Sequence, residues 1–242
     1  MYVWIGLSLV ILPIQFSITA PYGRHYKSSW GAGMSNRWGW VIMEAVSILM
    51  LSLLFLSSGK IKSDFAWFAY YLWSLHYLYR SFIFPFRTRT KYKKIPISIV
   101  ASAIFFNVIN AGTNGYFLGY LENYTNDWFT DIRFIIGLIL FIFGATIHII
   151  SDNYLIQLRK GSSSEYKIPR GGLFEYISCP NHLGEMIEWI GFALMCWNLP
   201  ALGFASWTMA NLIPRAWSHH KWYKKEFSDY PSNRKALIPG IL

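Results

Sequence analysis

Long apolar tracts, separated by short polar stretches, make up most of the chain. A helix that crosses a bilayer needs about 20 predominantly apolar residues. The last tract is interrupted at Asn198 and Pro200, so we expect it to form two closely spaced helices. The pattern predicts an all-α integral membrane bundle of about seven transmembrane helices. The tracts cover residues 4–18, 40–56, 65–86, 95–121, 132–150 and 183–214.

The distribution of lysine and arginine predicts the orientation of these helices. Basic residues collect in alternate connections, and again near the end of the chain, whereas the connection at 122–131 is acidic. Because Lys and Arg are retained on the cytoplasmic side during insertion, we expect the N-terminus outside and the C-terminus in the cytosol. Residues 1–18 lack a basic leader and are followed by a poor cleavage site, so we expect no cleaved signal peptide. The basic stretches are residues 24–37, 87–94, 159–170 and 221–235.

The composition supports a membrane protein of one domain. Of 242 residues, 54% are hydrophobic and 19% are aromatic, which is unlike a water-soluble domain. The chain has no internal repeat and no long linker, so we expect a single transmembrane domain over residues 1–242. Cys179 and Cys196 lack the spacing of metal ligands, so the sequence predicts neither a disulfide nor a metal site.

The net charge of +10 is high for so apolar a chain and has two explanations. Anionic lipid headgroups account for part of it in any basic membrane protein. A soluble cofactor rich in phosphate is the second explanation. Nucleic acid is not an expected partner, because the basic residues are dispersed over several loops without a recognition module.

Polar side chains within the apolar tracts indicate where chemistry takes place. An ionisable group in the membrane costs at least a few kcal/mol, so it usually has a function or a partner. The candidates are Glu44, the cluster from His76 to Arg80, the pair His148 and Asp152, and the stripe of Asn181 and Glu185.

Each candidate also has a structural interpretation. Glu44 would pair with Arg37 or Arg80, as many intramembrane charges do. Tyr77 would belong to an interfacial aromatic belt, and His76 would be a packing group. Further structural interpretations are a helix cap or loop position for Asp152, a helix start at Glu185 and Glu188, and a helix-breaking turn at Asn114.

Several ordered motifs identify a family. They are APYGR at 20–24, residues 38–44, DIRF at 131–134, SD at 151–152, QLRK at 157–160, IPRGGLF at 168–174, GEMIEWIG at 184–191 and DYPSNRKALIP at 229–239. Together they resemble the steroid 5-alpha-reductase family over nearly the whole chain. The resemblance implies a seven-helix membrane enzyme that uses NADPH to reduce a carbon–carbon double bond conjugated to a ketone.

The residues agree with this implication. No G-x-G-x-x-G motif is present, so arginine and lysine side chains would have to bind the phosphates of NADPH. Adding hydride to an enone places negative charge on the carbonyl oxygen, which requires a hydrogen-bond donor. The resemblance implies that Glu44 and Tyr77 hold this oxygen. The family's cofactor-binding positions correspond to Arg80, Asp152, Arg159, Tyr166, Asn181, Glu185, Trp189, Arg215, His219, Tyr223 and Arg234.

The chain departs from the family pattern at His148, where Asn is common, and at Lys91 and Lys167, where Arg is common. These departures concern the cofactor contacts, above all at the adenine end. The resemblance makes a Δ4-3-ketosteroid the expected substrate, although a polyprenol-like or enoyl thioester lipid fits the same apolar pocket. We expect a multi-pass location in the cell inner membrane of a bacterium or in the endoplasmic reticulum membrane of a eukaryote.

Two other classes of protein fit part of the pattern. A membrane methyltransferase similar to isoprenylcysteine carboxyl methyltransferase has a similar carboxyl-terminal architecture and binds a nucleotide-derived cofactor. Such an enzyme has no need of a pair like Glu44 and Tyr77, whereas polarisation of an enone does. The third class is a channel or lipid-binding scaffold, in which the polar residues only pair with one another.

Overall fold

The computed structural model describes residues 1–90, 92–159 and 166–242. The chain forms two compact units, unit 1 (Met1–Thr19 and Ile135–Leu242) and unit 2 (Ala20–Phe134). Almost all regular structure is helical, as the apolar tracts predict. The helices are α1 (Tyr2–Ser17), α2 (Asn36–Leu56), α3 (Asp64–Leu78), α4 (Phe84–Arg87), α5 (Ile97–Tyr116), α6 (Ile132–Leu158), α7 (Pro180–Cys196) and α8 (Leu199–Glu226).

Helices in the described part of the chain include three that are long and apolar enough to cross a membrane. They are Asn36–Leu56, Ile97–Leu121 and Ile132–Leu158, and each corresponds to a predicted tract. The apolar helix α1 is shorter, with 16 residues. The all-helical class and the presence of apolar spans are therefore confirmed.

In unit 2, α2 and α5 pack with their backbones in contact. A Cβ atom added at Gly115 would lie 2.6 Å from the carbonyl oxygen of Leu51, and one at Gly119 would lie 2.7 Å from that of Leu54. Only glycine permits so close an approach. Asn114 lies inside α5 and is buried, so the interpretation of this residue as a helix-breaking turn is wrong. The helix continues through a π-helical turn, Phe117–Leu121.

Helix α3 begins at a capped N-terminus and runs antiparallel to α2. Ser63 caps the helix by accepting a hydrogen bond from the backbone N–H of Ala66 at 3.1 Å. A bond of 3.0 Å joins the hydroxyls of Ser52 on α2 and Tyr70 on α3. The predicted tract at 65–86 is helical throughout, although a π-helical turn, Tyr79–Ile83, separates α3 from α4. Two short antiparallel strands, β1 (Gly33–Ser35) and β2 (Lys94–Pro96), complete this unit.

In unit 1, α1 packs along α8 and α7 adjoins α8 at a tight turn. The hydroxyls of Ser8 and Ser206 lie 2.6 Å apart across the first pair. Between α7 and α8, Trp197 adopts a left-handed conformation with φ of 45°. Asn198 then caps α8 by accepting a hydrogen bond from Ala201 at 2.8 Å. This break confirms the predicted pair of closely spaced helices.

Helices α6 and α7 also approach each other through glycine. A Cβ atom at Gly144 would lie 2.6 Å from the carbonyl oxygen of Gly184, and one at Gly191 would lie 2.6 Å from that of Gly137. Since the two glycine pairs are seven residues apart on both helices, the contact repeats every two turns. The crossing therefore holds α6 and α7 at a fixed register.

Two helices of unit 1 extend beyond their apolar tracts. Helix α6 continues to Leu158, so Asp152 lies inside the helix and the prediction that it caps a helix end is wrong. Helix α8 continues to Glu226, which places the basic residues at 221–225 on the helix. Glu185 and Glu188 lie in the second and third turns of α7, after its start at Pro180.

The carboxyl-terminal segment is tied to the segment before α7. Ile177 and Lys235 form a parallel bridge. The backbone N–H of Ser178 donates to Lys235 at 2.9 Å, and that of Cys179 donates to Ala236 at 3.1 Å. Residues beyond α8 are thereby part of the folded structure of unit 1.

Candidate functional site

Helix α3 carries Trp73 and Tyr77, and the π-helical turn that follows it carries Arg80; the three residues are spaced by four and three positions. These spacings place side chains on the same side of a helix. Tyr77 is buried, with 5% of its surface exposed, and its ring stacks on that of Trp73 at 5.4 Å. The His76 ring lies edge-on to the Tyr77 ring, with 5.1 Å between the ring centres. The Tyr77 ring therefore has a defined plane.

The facing side of α2 carries Glu44 between two residues that contact α3. The indole N–H of Trp73 donates to the hydroxyl of Ser47 at 3.1 Å. On the other side of Glu44, four residues earlier in the helix, the Trp40 ring lies 5.1 Å from the guanidinium carbon of Arg80. Because the helices are antiparallel, these two contacts place Glu44 at the level of Tyr77. The two residues expected to hold the ketone thus lie at the same level of two neighbouring helices.

The turn of α2 that carries Glu44 is also held from α5. The side-chain amide of Asn107 donates to the backbone carbonyl of Met43 at 2.7 Å, and Asn107 is buried. A carbonyl in a helix has a second lone pair available for such a bond. Arg80 lies over the Phe84 ring as well as over Trp40, at 4.9 Å. Unit 2 therefore contributes Glu44, Tyr77 and Arg80 as one group.

A buried histidine surrounded by carboxylates forms the second group, in unit 1. Nδ1 of His148 lies 3.2 Å from Oε2 of Glu188, and Nε2 lies 3.3 Å from Oδ2 of Asp152 and 3.8 Å from Oε2 of Glu185. The cluster lies at the α6–α7 glycine crossing, where Gly144 contacts the backbone of Glu188. Its side chains are therefore carried by two helices of fixed register.

Asparagine and arginine extend this cluster. The side-chain amide of Asn181 donates to Oδ1 of Asp152 at 3.0 Å. The rings of His182 on α7 and His219 on α8 lie 5.5 Å apart. Arg215 on α8 is buried, with 7% of its surface exposed. The structure thus brings the predicted residues Asp152, Asn181 and Glu185 together and links His219 to α7.

An aromatic strip in unit 1 contains three more predicted residues. The guanidinium carbon of Arg159 lies 4.9 Å from the centre of the Tyr166 ring, which in turn contacts Trp222 at 4.9 Å. Tyr223 stacks on Tyr230 at 5.2 Å with an angle of 11°. Aromatic rings beside an arginine suit a ligand with a planar base and phosphates.

Two residues predicted to bind the cofactor, Trp189 and Arg234, are buried against other groups of the protein. Trp189 is 1% exposed and packs with its ring edge against Phe204 at 4.5 Å and near Phe141 at 6.3 Å, in an apolar core. Arg234 is also 1% exposed; it donates to the carbonyl of Pro169 at 2.8 Å and to Glu175 at 3.2 Å.

The second of these residues, Arg234, orders the loop before α7. The pKa of Glu175 is below its ordinary value, mainly because the backbone N–H of Gly171 donates a hydrogen bond to the carboxylate and, to a lesser extent, because of the charge of Arg234. The guanidinium also lies 5.4 Å from the Tyr230 ring. These contacts connect the carboxyl-terminal segment with residues 169–175.

Each of the two groups contains residues that the sequence did not mark as functional. Glu188 and His182 belong to the buried cluster in unit 1, and Glu188 follows Glu185 by three residues, a helical spacing that was visible in the sequence. Ser47 and Trp73 contact each other in unit 2. Their pairing had no signal in the sequence, because it depends on the register between two helices.

The three departures from the family pattern fall in different places. His148 is the centre of the buried cluster in unit 1, whereas Lys167 is exposed. Lys91 lies outside the described residues, as does Lys160, which was counted among the basic residues of the 159–170 connection.

Comparisons with known proteins identify similar chains. The family model described as 3-oxo-5-alpha-steroid 4-dehydrogenase matches residues 93–242. The tomato (Solanum lycopersicum) steroid 5-alpha-reductase DET2 is 41% identical over 228 residues, which cover 92% of this chain and 88% of that protein. The pig (Sus scrofa) 3-oxo-5-alpha-steroid 4-dehydrogenase 2 is 41% identical over 239 residues, covering 97% and 92%. The Bos taurus 3-oxo-5-alpha-steroid 4-dehydrogenase 1 is 36% identical over 245 residues, covering 100% and 95%.

Proposed function

Because the chain belongs to the 3-oxo-5-alpha-steroid 4-dehydrogenase family, we propose that it reduces the double bond of a conjugated enone, a Δ4-3-ketosteroid. It is an oxidoreductase that acts on a CH–CH group. The observation that carries this proposal is the family match over residues 93–242, together with relatives that cover nearly the whole chain. The relatives' names specify a steroid as the substrate.

The group in unit 2 supports polarisation of the ketone. We propose that the hydroxyl of Tyr77 donates a hydrogen bond to the carbonyl oxygen and that Glu44 shares in this interaction. Negative charge grows on that oxygen during reduction, so a fixed donor stabilises the transition state more than the ground state. The α carbon then takes a proton from solvent. The buried, stacked position of the Tyr77 ring supports the role of a fixed donor.

The residues of unit 1 fit NADPH as the cofactor. Arg159, Arg215 and His219 provide cationic or hydrogen-bonding groups of the type that binds phosphate. Asn181 and Glu185 have the donors and acceptors that a carboxamide or ribose hydroxyls need. Nδ1 of His182 is buried and has no hydrogen-bond partner among the described residues. This atom is therefore available to form a hydrogen bond with a group of the ligand. When bound, NADPH supplies the hydride for the β carbon.

The remaining proposed cofactor residues are Arg80, Asp152, Tyr166, Trp189, Tyr223 and Arg234. Asp152 orients Asn181 through their hydrogen bond. Tyr166 and Tyr223 belong to the aromatic strip beside Arg159. The contacts of Arg234 with Pro169 and Glu175 support a role in ordering the loop on the cofactor side.

The membrane arrangement is part of the same proposal. We propose about seven spans, with the N-terminus outside and the C-terminus in the cytosol. The protein would then be a multi-pass component of the bacterial inner membrane or of the endoplasmic reticulum membrane. NADPH is a cytosolic solute, so the basic side of the protein has to face the cytosol.

A spectrophotometric assay tests the proposed function. The purified protein in detergent is mixed with NADPH and a panel of Δ4-3-ketosteroids, an unrelated enone and an enoyl thioester lipid. We expect oxidation of NADPH, measured as loss of absorbance, with the steroids and a saturated product. Binding of S-adenosylmethionine without NADPH oxidation would favour the methyltransferase class instead, and oxidation with the thioester alone would reassign the substrate.

A further inference from the structure

The hydrogen bond between Trp73 and Ser47 lies beside the pair of residues proposed to hold the ketone. Both residues are completely buried, with 0% of their surface exposed. The bond, of 3.1 Å, joins α3 to α2. Trp73 lies one helical turn from Tyr77, and Ser47 lies one turn from Glu44. The bond therefore connects the two helices one turn away from both of these residues.

Trp73 also contacts Tyr77 directly. The two rings stack at 5.4 Å with an angle of 26° between their planes. A neighbour that packs against a tyrosine ring restricts where the rigid side chain can lie, and with it the position of the hydroxyl at the end of the ring axis. A shift of about 1 Å in a catalytic group can cost on the order of a hundredfold in rate. The orientation of the Trp73 indole is therefore coupled to the position of the Tyr77 hydroxyl.

The Ser47 end of this bond is fixed independently. Asn107 on α5 donates to the carbonyl of Met43, at 2.7 Å, in the same turn of α2 that carries Glu44 and leads to Ser47. Gly115, also on α5, contacts the backbone of Leu51 one turn later. Contacts with α5 thus fix the part of α2 that contains Ser47. The hydrogen bond to Ser47 therefore fixes the orientation of the Trp73 indole relative to α2.

From these contacts we propose that Trp73 is a positioning residue for enone reduction. By donating to Ser47 while it stacks on Tyr77, it holds the Tyr77 hydroxyl at the level of Glu44. Trp73 does not contact the reacting atoms in this proposal; it acts through Tyr77. The inference rests on the proposed function of Tyr77 and adds a residue that neither the family resemblance nor the sequence pattern marked.

The same pair of helices offers a matched control. Ser52 and Tyr70 form a second hydroxyl bond between α2 and α3, at 3.0 Å, farther along both helices from Glu44 and Tyr77. Ser47→Ala and Ser52→Ala delete the same atom from the same helix. Trp73→Phe and Tyr70→Phe each delete one polar group and retain an aromatic ring. A role limited to holding the helices together predicts similar effects of the two serine variants.

The experiment measures kcat and KM for a Δ4-3-ketosteroid, the Kd for NADPH and the melting temperature in detergent. We expect Ser47→Ala and Trp73→Phe to lower kcat by about tenfold or more, with an unchanged Kd for NADPH. Ser52→Ala and Tyr70→Phe should lose a similar amount of melting temperature and keep kcat within about twofold. Should Trp73→Phe not fold, Ser47→Ala carries the test.

Combination with Tyr77→Phe identifies the route of action. Because Trp73 acts through the Tyr77 hydroxyl, Ser47→Ala should cause less than about a twofold further loss once that hydroxyl is absent. Equal kcat in Ser47→Ala and Ser52→Ala, or additive losses with Tyr77→Phe, would overturn the inference alone. Normal turnover in Tyr77→Phe would remove Tyr77, and with it the role of Trp73, from the mechanism while enone reduction stands. Absence of NADPH oxidation by the unaltered protein with every enone would instead overturn the proposed function, so the two failures are distinguishable.

Discussion

The two units of the chain bury different kinds of polar side chain. Among the described residues of unit 1, buried polar groups include charged or ionisable ones. Those described in unit 2 are neutral groups of serine, asparagine, tyrosine and tryptophan, together with the carboxylate of Glu122. Glu122 accepts hydrogen bonds from Ser63 and Tyr124 in a connecting segment. The described residues of unit 1 that bury an acidic, histidine or arginine side chain are His148, Asp152, Glu188, Arg215, His220 and Arg234.

This difference corresponds to the two ligands of the proposed reaction. A buried charge is costly unless it is paired or bound to a ligand of opposite charge. A highly charged cofactor provides such a ligand, whereas a steroid ketone is uncharged and has a large apolar surface. Neutral hydrogen bonds and stacked rings, such as those of Ser47, Trp73 and Tyr77, suit the second task. Variants in the two units should therefore affect different constants.

The largest effect is expected for Tyr77→Phe in unit 2. Loss of one donor to a developing oxyanion usually lowers kcat by about a hundredfold or more. The Kd for NADPH should stay the same, because the proposed phosphate ligands of unit 1 keep their contacts. Steady-state turnover and NADPH binding by fluorescence provide the check, with Tyr70→Phe as a control for loss of a hydroxyl. Wild-type turnover would remove Tyr77 from the mechanism.

Glu44→Gln should have the next largest effect, also in unit 2. A carboxamide keeps a donor and an acceptor but polarises the ketone less, so we expect enone reduction to fall by at least about tenfold. NADPH binding should persist, and the melting temperature in detergent should change by only a few degrees. The melting temperature would change more if Glu44 only neutralised a buried arginine. Loss of the carboxylate would then cost about 3–5 kcal/mol of stability, seen as much earlier melting.

Gly144→Ala tests the helix crossing that carries the charged cluster of unit 1. The added methyl group would overlap the backbone of Gly184 and Glu188, and overpacking of this kind costs about 1–3 kcal/mol. We expect a lower melting temperature and weaker NADPH binding, because His148 and Glu188 move with their helices. Gly112→Ala is the control, since its nearest neighbours would be 3.6 and 3.7 Å away. Equal melting of both variants would contradict the close crossing.

The smallest effects are expected for single arginines of unit 1. Arg159→Ala should raise the apparent KM for NADPH by about tenfold, more than that for the steroid, and leave the melting temperature nearly unchanged. Arg234→Ala should lower the melting temperature as well, because Arg234 binds Pro169 and Glu175. Kinetics with each substrate varied in turn, together with thermal melting, separate the two roles. Identical profiles for the two variants would show that both act through folding or both through the phosphates.

The sequence by itself determined the class of structure and the order of its helices. The length and hydropathy of the tracts decide which segments are helical in lipid, because an unpaired backbone is costly there. The break at Asn198 and Pro200 follows from local capping chemistry. The polar residues inside the tracts, including Glu44 and Glu185, were visible because they interrupt an apolar pattern.

The ends of the helices depended on tertiary packing. Helix α6 extends to Leu158 and α8 to Glu226, beyond the apolar residues that mark them. In these extensions the polar side chains, such as Asp152 and Tyr223, are buried against other parts of unit 1. Hydropathy describes the preference of a residue for lipid or water. It does not indicate whether a polar side chain will be buried in a hydrogen bond or ion pair with another part of the protein.

The tertiary structure alone decided which residues face one another. The bond from Trp73 to Ser47, the amide of Asn107 on Met43 and the glycine contact of Gly144 each join separate helices. A one-residue change in register would rotate a side chain by about 100° around its helix axis and break such a contact. Helical periodicity predicts which residues share a face, but the crossing of two backbones determines the partner of that face.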